Sequence, residues 1–506
     1  MAGSFVGLDI GSNQIKVAEV RRNGNQVQVV ALGIAPTPPE AYENNVVVDV
    51  QLLGQAVKNL LKQSGITTKD CVSSVAGPSS VVVRVIEVPQ MNTAELAETM
   101  KWEVERHVPF AASEVIMDYT PIDRPEGYAE GQNMDVLLAV AQQDMVDRHV
   151  EMLMAAGLKP KYIDVEPLAL GRTLLDLEGS PSPAGHTVAI VNLGATNTDI
   201  DIYRDKLLAF PRSLPLAGDS FTRAIAETLH VDLNTAEQYK KDYGEVILDQ
   251  FGQQQQQAGF GGAVGSGFVD FSGQPPANPF DTSPSGQVSP FPPPVTGPQS
   301  SPSGRMPFDF STPGDAPAPS PFDTSGQPAP PNPFGAPQDQ APSGDFMQPG
   351  APQDGGMQPA EPGFMTPVGA PPPPPAQNLP APSGGSGDPQ RDAMRLQVFS
   401  AIAPVLAELA QELRRSIDYY RGRTSDAQIH ELRLTGGTSR LRNLAPFLEM
   451  ELGIPTRVAD TLQNVQVTAK SFSDTYMQEV SSQFPISIGL GVRDLIGGPA
   501  PAKKRK

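Results

Sequence analysis

The amino-acid sequence predicts a layered α/β protein interrupted by one long non-globular segment. Three observations carry this prediction. Short runs of β-branched and aliphatic residues alternate with longer stretches whose apolar residues recur at helical spacing, as in strands and helices packed in layers. One plan occurs twice, at residues 5–17 and 188–200: apolar strand, polar residue, glycine turn, second strand. The 54 prolines and 47 glycines of the 506-residue chain are concentrated between about 250 and 390, where the alternation is lost.

In the first hairpin Gly11, Ser12 and Asn13 form the bend and Gln14 opens the second strand. Glycine lets the backbone come close to a phosphate, successive N–H groups can converge on an anion, and Asp9 is placed to hold a metal ion through water. An ordinary hairpin turn uses the same residue types. Recurrence adds weight to the first reading. In the second hairpin Asn192 precedes Gly194, Ala195 and Thr196, and two bends facing each other would grip a nucleotide's phosphates from both sides. A third signal follows a short strand at 431–435, where Gly436, Gly437, Thr438 and Ser439 precede an apparent helix. That glycine pair permits a flat ring or an α-phosphate to approach the backbone beside a helix N-terminus.

Between these motifs, the spacing of Leu52, Leu53, Val57, Leu60 and Leu61 predicts a helix with one buried face, ended by Ser64 and Gly65. Residues 71–76 and 80–88 read as strands. Thr93 reads as the N-cap of a helix that runs through Trp102 and Arg106 until Pro109 stops it. Trp102, the single tryptophan, reads either as a helix residue packed on a sheet or as a partner contact. A turn-rich patch at 124–132 precedes a strand at 135–141 and an amphipathic helix at 144–156 closed by Gly157. A strand at 162–165 then leads into Glu166, Pro167 and a helix through Leu177.

From Gln250 to about residue 390 the chain holds five consecutive glutamines, five consecutive prolines and much Gly, Ser, Ala and Asp. That composition leaves too little apolar surface to offset the entropy of folding, and it predicts a disordered insertion. Isolated phenylalanines at 280, 308, 322 and 334 punctuate it, as docking points for a partner or as drift in a tolerated loop. Helical spacing resumes near Asp392 with Leu396, Phe399, Ile402, Leu406, Leu409, Leu413 and Ile417, so the insertion is a loop within one domain. A long surface loop adds only about 0.6 kcal/mol of closure entropy per doubling of its length.

The formal charge of -19 argues against nucleic acid as a partner. The basic cluster Lys503, Lys504, Arg505 and Lys506 reads as a solvated tail or a weak membrane contact. The single cysteine, Cys71, excludes an intramolecular disulfide and suits a reducing compartment. No apolar run approaches the roughly 20 residues that span a bilayer, so the expectation is a cytoplasmic protein that meets a membrane only through partners.

The order hairpin, hairpin, strand–Gly–Gly–helix resembles the phosphate, phosphate and adenosine motifs of the actin-like ATPase superfamily. Residues 86–91, 102–110, 135–139, 156–160, 164–169 and 413–420, together with 7–12, narrow the resemblance to the type IV pilus assembly protein PilM family, related to FtsA. The resemblance covers residues 5–248 and 392–496; the stretch ending in Val108, Pro109 and Phe110 is its most specific part, since nucleotide chemistry does not demand it. It implies an actin-like ATPase fold of two lobes with a small FtsA-type inserted subdomain and the long disordered Pro/Gly/Gln-rich insertion. The implied divisions are a first-lobe portion at 1–77, an inserted subdomain at 78–165, and the end of the first lobe and start of the second at 166–249. The insertion at 250–391, the completion of the second lobe with a return to the first at 392–498, and a basic tail at 499–506 follow.

The same resemblance implies binding of ATP and Mg. Nucleotide residues would be Asp9, Gly11, Ser12, Asn13 and Gln14, then Asn192, Gly194, Ala195 and Thr196, then Gly218. Glu237 and Lys240 would lie by ribose and adenine, and Gly436, Gly437 and Thr438 by adenosine. Asp9 would hold the metal through water, and Glu166 would polarise an attacking water or simply cap the following helix. Asn192 stands where the superfamily usually has aspartate, which puts metal affinity and hydrolysis in question. The implied role is a cytoplasmic adaptor at the inner face of the inner membrane, binding the N-terminal tail of PilN and other pilus platform proteins through Trp102, Val108, Pro109 and Phe110; self-association is left open. Two alternatives are an FtsA-like division protein and a phosphotransferase of the same superfamily. The first lacks an amphipathic membrane helix after Gly497, and the second lacks a base aimed at a substrate hydroxyl.

Overall fold

Strands β1 (Ser4–Ile10), β2 (Gln14–Asn23) and β3 (Gln26–Pro36) form an antiparallel meander that begins the first lobe. A short ribbon, β4 (Tyr42–Glu43) and β5 (Val46–Val47), leads to α1 (Val50–Gln63). Asp49 caps that helix by accepting hydrogen bonds from the N–H groups of Gln51 and Leu52. Its stripe of Leu53, Val57, Leu60 and Leu61 is buried, each side chain contributing roughly 1.5–3 kcal/mol. Strand β6 (Asp70–Val75) then runs parallel beside β1. The computed structural model describes residues 3–24, 26–179, 183–249, 388–424, 428–468 and 473–496. The expected insertion and basic tail lie outside these residues, except for 388–391, which open a helix.

The inserted subdomain comprises β7 (Val81–Val88), α2 (Thr93–His107), β8 (Val115–Pro121) and β9 (Met134–Gln142), with antiparallel strand order β7-β9-β8. Leu96, Met100 and Val104 of α2 cover the sheet. Asn92, one residue before the expected Thr93, is the cap: it accepts from the N–H groups of Ala94 and Glu95, and Glu95 accepts from the N–H of Asn92. Trp102 is 70% exposed, which overturns its reading as a residue packed on the sheet. Strand β8 escapes the sequence pattern because it is an edge strand of alternately half-buried and exposed residues.

After the subdomain come α3 (Gln143–Ala155) and β10 (Lys159–Val165). These were expected within the inserted stretch 78–165 and instead complete the first lobe. Met152 and Leu153 share a core with Leu53 and Leu60, and β10 pairs parallel with β6. Helix α4 (Glu166–Gly171), continued by a π turn at Arg172–Asp176, then leads to the second lobe.

The second lobe repeats the plan. Strands β11 (Thr187–Leu193), β12 (Thr198–Arg204) and β13 (Leu207–Leu214) form another antiparallel meander, followed by α5 (Gly218–Leu229), α6 (Leu233–Tyr243) and α7 (Pro389–Arg423). Strand β14 (Glu431–Thr435) runs parallel to β11, and after α8 (Leu444–Leu452) strand β15 (Thr456–Val458) runs parallel to β14. The order β13-β12-β11-β14-β15 therefore matches β3-β2-β1-β6-β10 strand for strand. Helix α7 is apolar and long enough to cross a membrane by composition. Its Phe399, Ile402, Leu406, Leu409 and Leu413 are nevertheless buried in the second-lobe core.

The chain returns through β16 (Gln466–Val467), beside β3, then α9 (Asp474–Val480) and α10 (Pro485–Gly491). Helix α10 lies against β1 and α4 so closely that a Cβ on Gly489 would stand 1.9 Å from the Ala169 carbonyl oxygen. Thr173 Oγ1 also donates to the Pro485 carbonyl at 2.6 Å. The two segments joining the lobes are thus packed backbone to backbone.

Candidate functional site

Each meander presents its first turn to the gap between the lobes. In the first, Gly11 N–H donates to the Gln14 carbonyl at 3.0 Å, and Thr37 anchors the bend by donating from Oγ1 to the Gly11 carbonyl and from N–H to the Asn13 carbonyl. In the second, Gly194 N–H donates to the Asn197 carbonyl at the same 3.0 Å. The Gly194 carbonyl accepts from Gly218 N–H at 3.1 Å and from Thr438 Oγ1 at 2.9 Å, and Asp219 N–H donates to Ala195. That turn is therefore docked on the N-terminus of α5 and on the Gly–Gly segment. Across the gap Ser12 Oγ and Thr196 Oγ1 lie 3.0 Å apart.

The glycine pair divides its work. Gly436 has φ +86°, and a Cβ there would stand 2.4 Å from the Leu193 carbonyl oxygen and 2.7 Å from Asn192 Oδ1. A Cβ on Gly437 would find only Gln483 Oε1, 4.0 Å away. One glycine is required by packing; the other leaves backbone open to the cleft.

The charged residues form a row. Asp9 is 3% exposed and pairs with Lys16 Nζ at 3.1 Å, its direct register partner across the hairpin. In the second hairpin the same register joins Asn192 to Asp199, with Asn192 Nδ2 donating to Asp199 Oδ2 at 3.5 Å. The charge expected at Asn192 thus appears on the facing strand. Glu166 opens α4 from the end of β10. Burial raises the Glu166 carboxyl well above its ordinary range, the Asp199 and Asp9 carboxylates add to this, and Lys16 opposes it. Burial also raises Asp199, against hydrogen bonds from Ser213 and Asn192.

Lys240 is fully engaged: its Nζ reaches the Gly218 carbonyl at 2.9 Å, Thr222 Oγ1 at 2.7 Å and Glu237 Oε2 at 2.6 Å. Burial would raise the Glu237 carboxyl, but Lys240 and the hydrogen bond from Thr222 bring it below its ordinary value. The pair thus braces the N-terminus of α5 at the edge of the site.

The expected nucleotide residues in both turns, Gly218 and the segment 436–438 are brought together. Among the described residues no three Asp, Glu, His or Cys side chains converge as a metal cage, and Asp9 already has a cationic partner. The expected peptide contacts lie elsewhere, on the subdomain. Trp102 and Pro109 are exposed, Phe110 is half-buried, and Val108 belongs to the subdomain core, where its side chain cannot line a groove. Sequence reasoning passed over Lys16, Thr37 and Asp199. Hairpin parity held the signal for Lys16 and Asp199, since each stands opposite a residue already singled out.

Two lobes of matched strand order, with glycine turns facing across a cleft and a third Gly–Gly segment beside one of them, define an actin-like ATPase superfamily fold. The chain belongs to the type IV pilus assembly protein PilM family, whose model matches residues 7–254. Residues 189–476 match the model of the related cell division protein FtsA. Over 96% of its length the chain resembles the solved PilM-PilN type IV pilus biogenesis complex, covering 97% of that chain with a TM-score of 0.61 and 24% identity. It is 25% identical over 264 residues, 48% of its length, to FtsA of Streptococcus pneumoniae, and 26% identical over 262 residues, 47% of its length, to FtsA of Pseudomonas aeruginosa. The chain spans 56% and 60% of the length of those two curated relatives.

Proposed function

We propose that the protein is an ATP-binding adaptor in type IV pilus assembly that binds the cytoplasmic N-terminal tail of PilN and relays nucleotide state to the pilus machinery. The observation that carries this reading is the meeting of the two turns at Ser12 and Thr196 beside the open backbone of Gly437. Residues 11–14 and 194–196 would hold the phosphates, and Gly436, Gly437 and Thr438 the adenosine. When bound, the nucleotide supplies negative charge and its Mg ion, which Asp9 would hold through water and Asp199 would face from the other lobe. Lys16 would then exchange its partner Asp9 for a phosphate. Glu237 and Lys240 would fix the N-terminus of α5 against the ribose side.

Protein-bound PilN would bring the adaptor to the inner face of the inner membrane. An extended tail needs a sheet edge or an apolar groove; the subdomain offers the free edge of β8, and it carries Trp102 and Pro109 exposed and Phe110 half-buried. The test is a titration with a synthetic PilN tail, read through Trp102 as the single indole. Its emission should shift on binding, and ATP should change the affinity. Gln142 N–H bonds to the Ser80 carbonyl at 3.0 Å, so the subdomain can be removed between adjoining ends. A labelled tail that binds equally well without residues 81–141 would overturn the groove.

The match to FtsA favours one second reading, a division protein. Capture from cells separates the two, since pilus platform partners and division partners do not overlap.

A further inference from the structure

The inserted subdomain covers both faces of its sheet, whereas an antiparallel sheet can leave one face to water. Alternation along β7 and β9 sends Ile86, Val88, Val136 and Leu138 into the core beneath α2, and Val83, Val85 and Leu137 the other way. That second set joins a core shared with Leu170 and Leu174 from the segment between the lobes, and with Tyr203 and Leu208 from the second lobe. Strand β7 lies against β13, although the two belong to different sheets. The subdomain is inserted in the first lobe but rests on the second.

Ile122, the residue after β8, packs against the same core, and a polar network holds it there. Its N–H donates to the Asp135 carbonyl at 2.9 Å, and its carbonyl accepts from the Tyr128 hydroxyl at 2.7 Å. That hydroxyl accepts in turn from Asp135 N–H at 3.0 Å. Arg124 Nε donates to the buried Asp135 carboxylate at 2.9 Å, and the same guanidinium lies 5.0 Å from the centre of the Tyr128 ring. In the second lobe β13 pairs with β12, which begins two residues after Thr196. Parting Thr196 from Ser12 to admit phosphates would therefore carry β13 across β7 and Ile122.

We propose that this contact is a latch: the packing of Val83, Val85 and Ile122 on β13 opposes the parting of the turns, and an extended peptide paired along β8 releases it through Pro121, so that ATP binds more tightly. This rests on the adaptor reading above and supplies the route by which tail and nucleotide sense each other. Packed cores shift between discrete arrangements and do not deform continuously, so a small displacement of Ile122 is enough to favour one arrangement of the lobes. A latch that must open before nucleotide enters lowers the apparent affinity by the fraction of chains in which it is closed, and a first ligand or a weakened contact restores what was lost.

The experiment measures ATP affinity by calorimetry on the full chain, with and without the synthetic PilN tail, in wild type, Leu208→Ala, Ile122→Ala and Met100→Ala. In wild type the tail should tighten ATP binding about tenfold, and ATP should tighten tail binding by the same factor. Both latch variants should bind ATP without the tail as tightly as wild type does with it, and the tail should add nearly nothing. Met100→Ala trims the opposite face of the same sheet and should behave as wild type. A gain in Met100→Ala equal to that of the latch variants would reduce the effect to general loosening of the subdomain and overturn the latch. So would tail and nucleotide binding wild type independently, or latch variants that keep the wild-type affinity and coupling; both binding readings would then stand. Failure of wild type to bind ATP would remove the nucleotide reading and the latch with it. Failure to bind the tail removes that ligand alone, and the tail-free gain in the variants then decides the latch. Should the buried Leu208→Ala not fold, the half-buried Ile122→Ala carries the same comparison.

Discussion

Ser12 Oγ and Thr196 Oγ1 meet at 3.0 Å, although the residues are 184 positions apart in the chain. Each hydroxyl sits on the first turn of its own meander, so the contact links the two halves of the repeated plan. Phosphates gripped from both sides must replace this hydrogen bond, and the turns must part to admit them. Oxidation of a Ser12→Cys/Thr196→Cys variant should lock the cleft and abolish ATP binding in calorimetry, and reduction should restore it. The native Cys71 is buried and should not interfere. Unchanged affinity in the oxidised form would mean that nucleotide enters elsewhere.

The glycines of the adenosine segment should separate stability from binding. Gly436→Ala adds an atom against the Leu193 carbonyl at positive φ and should cost roughly 2–4 kcal/mol in denaturant unfolding. Gly437→Val projects into open space and should leave the unfolding midpoint nearly unchanged while removing ATP binding. Retained affinity in Gly437→Val would exclude that backbone as the adenosine wall.

Replacing residues 255–387 with a short Gly/Ser bridge should leave melting temperature and ATP affinity nearly unchanged. The bridge must spare Asp388, whose side chain accepts from Gln390 N–H and caps α7. A fall of many degrees would show that the removed segment contributes to the stability of the fold.

Stability should depend on pH through His149, which is 3% exposed on α3. Ser73 Oγ donates to the Leu8 carbonyl at 2.8 Å and therefore accepts from His149 Nε2–H at 2.9 Å, which sets the tautomer of the neutral ring, while burial disfavours the charged one. Burial lowers its pKa to about 4 from an ordinary 6.5. The folded-state value is depressed, so the stability is present above pH 6.5 and is lost as pH falls towards 4, by about 3 kcal/mol. Glu166 and Asp201 work in the opposite sense, since raised carboxyls lose stability as pH rises from about 4. Urea midpoints for wild type and His149→Gln across this range should show the acid slope flattened in the variant. Parallel slopes would discount the histidine.

Local chemistry alone determined a good deal about this protein. The turns at Gly11 and Gly194 and the glycine pair at 436 and 437 were legible because each needs particular residues within a few positions. The helical stripes of α1, α3 and α7 were legible because burial imposes a period on neighbouring residues. Only tertiary structure decided the rest. It assigned α3 and β10 to the first lobe by strand pairing with β6 and by a shared core, and neither signal is local. It turned Trp102 to solvent, since Leu96, Met100 and Val104 already fill the inward face of α2. It also set Lys16 against Asp9 and Asp199 against Asn192, and buried Asp201 within β12. Electrostatic energy depends on distance and burial, and a sequence specifies neither until its strands have found their partners.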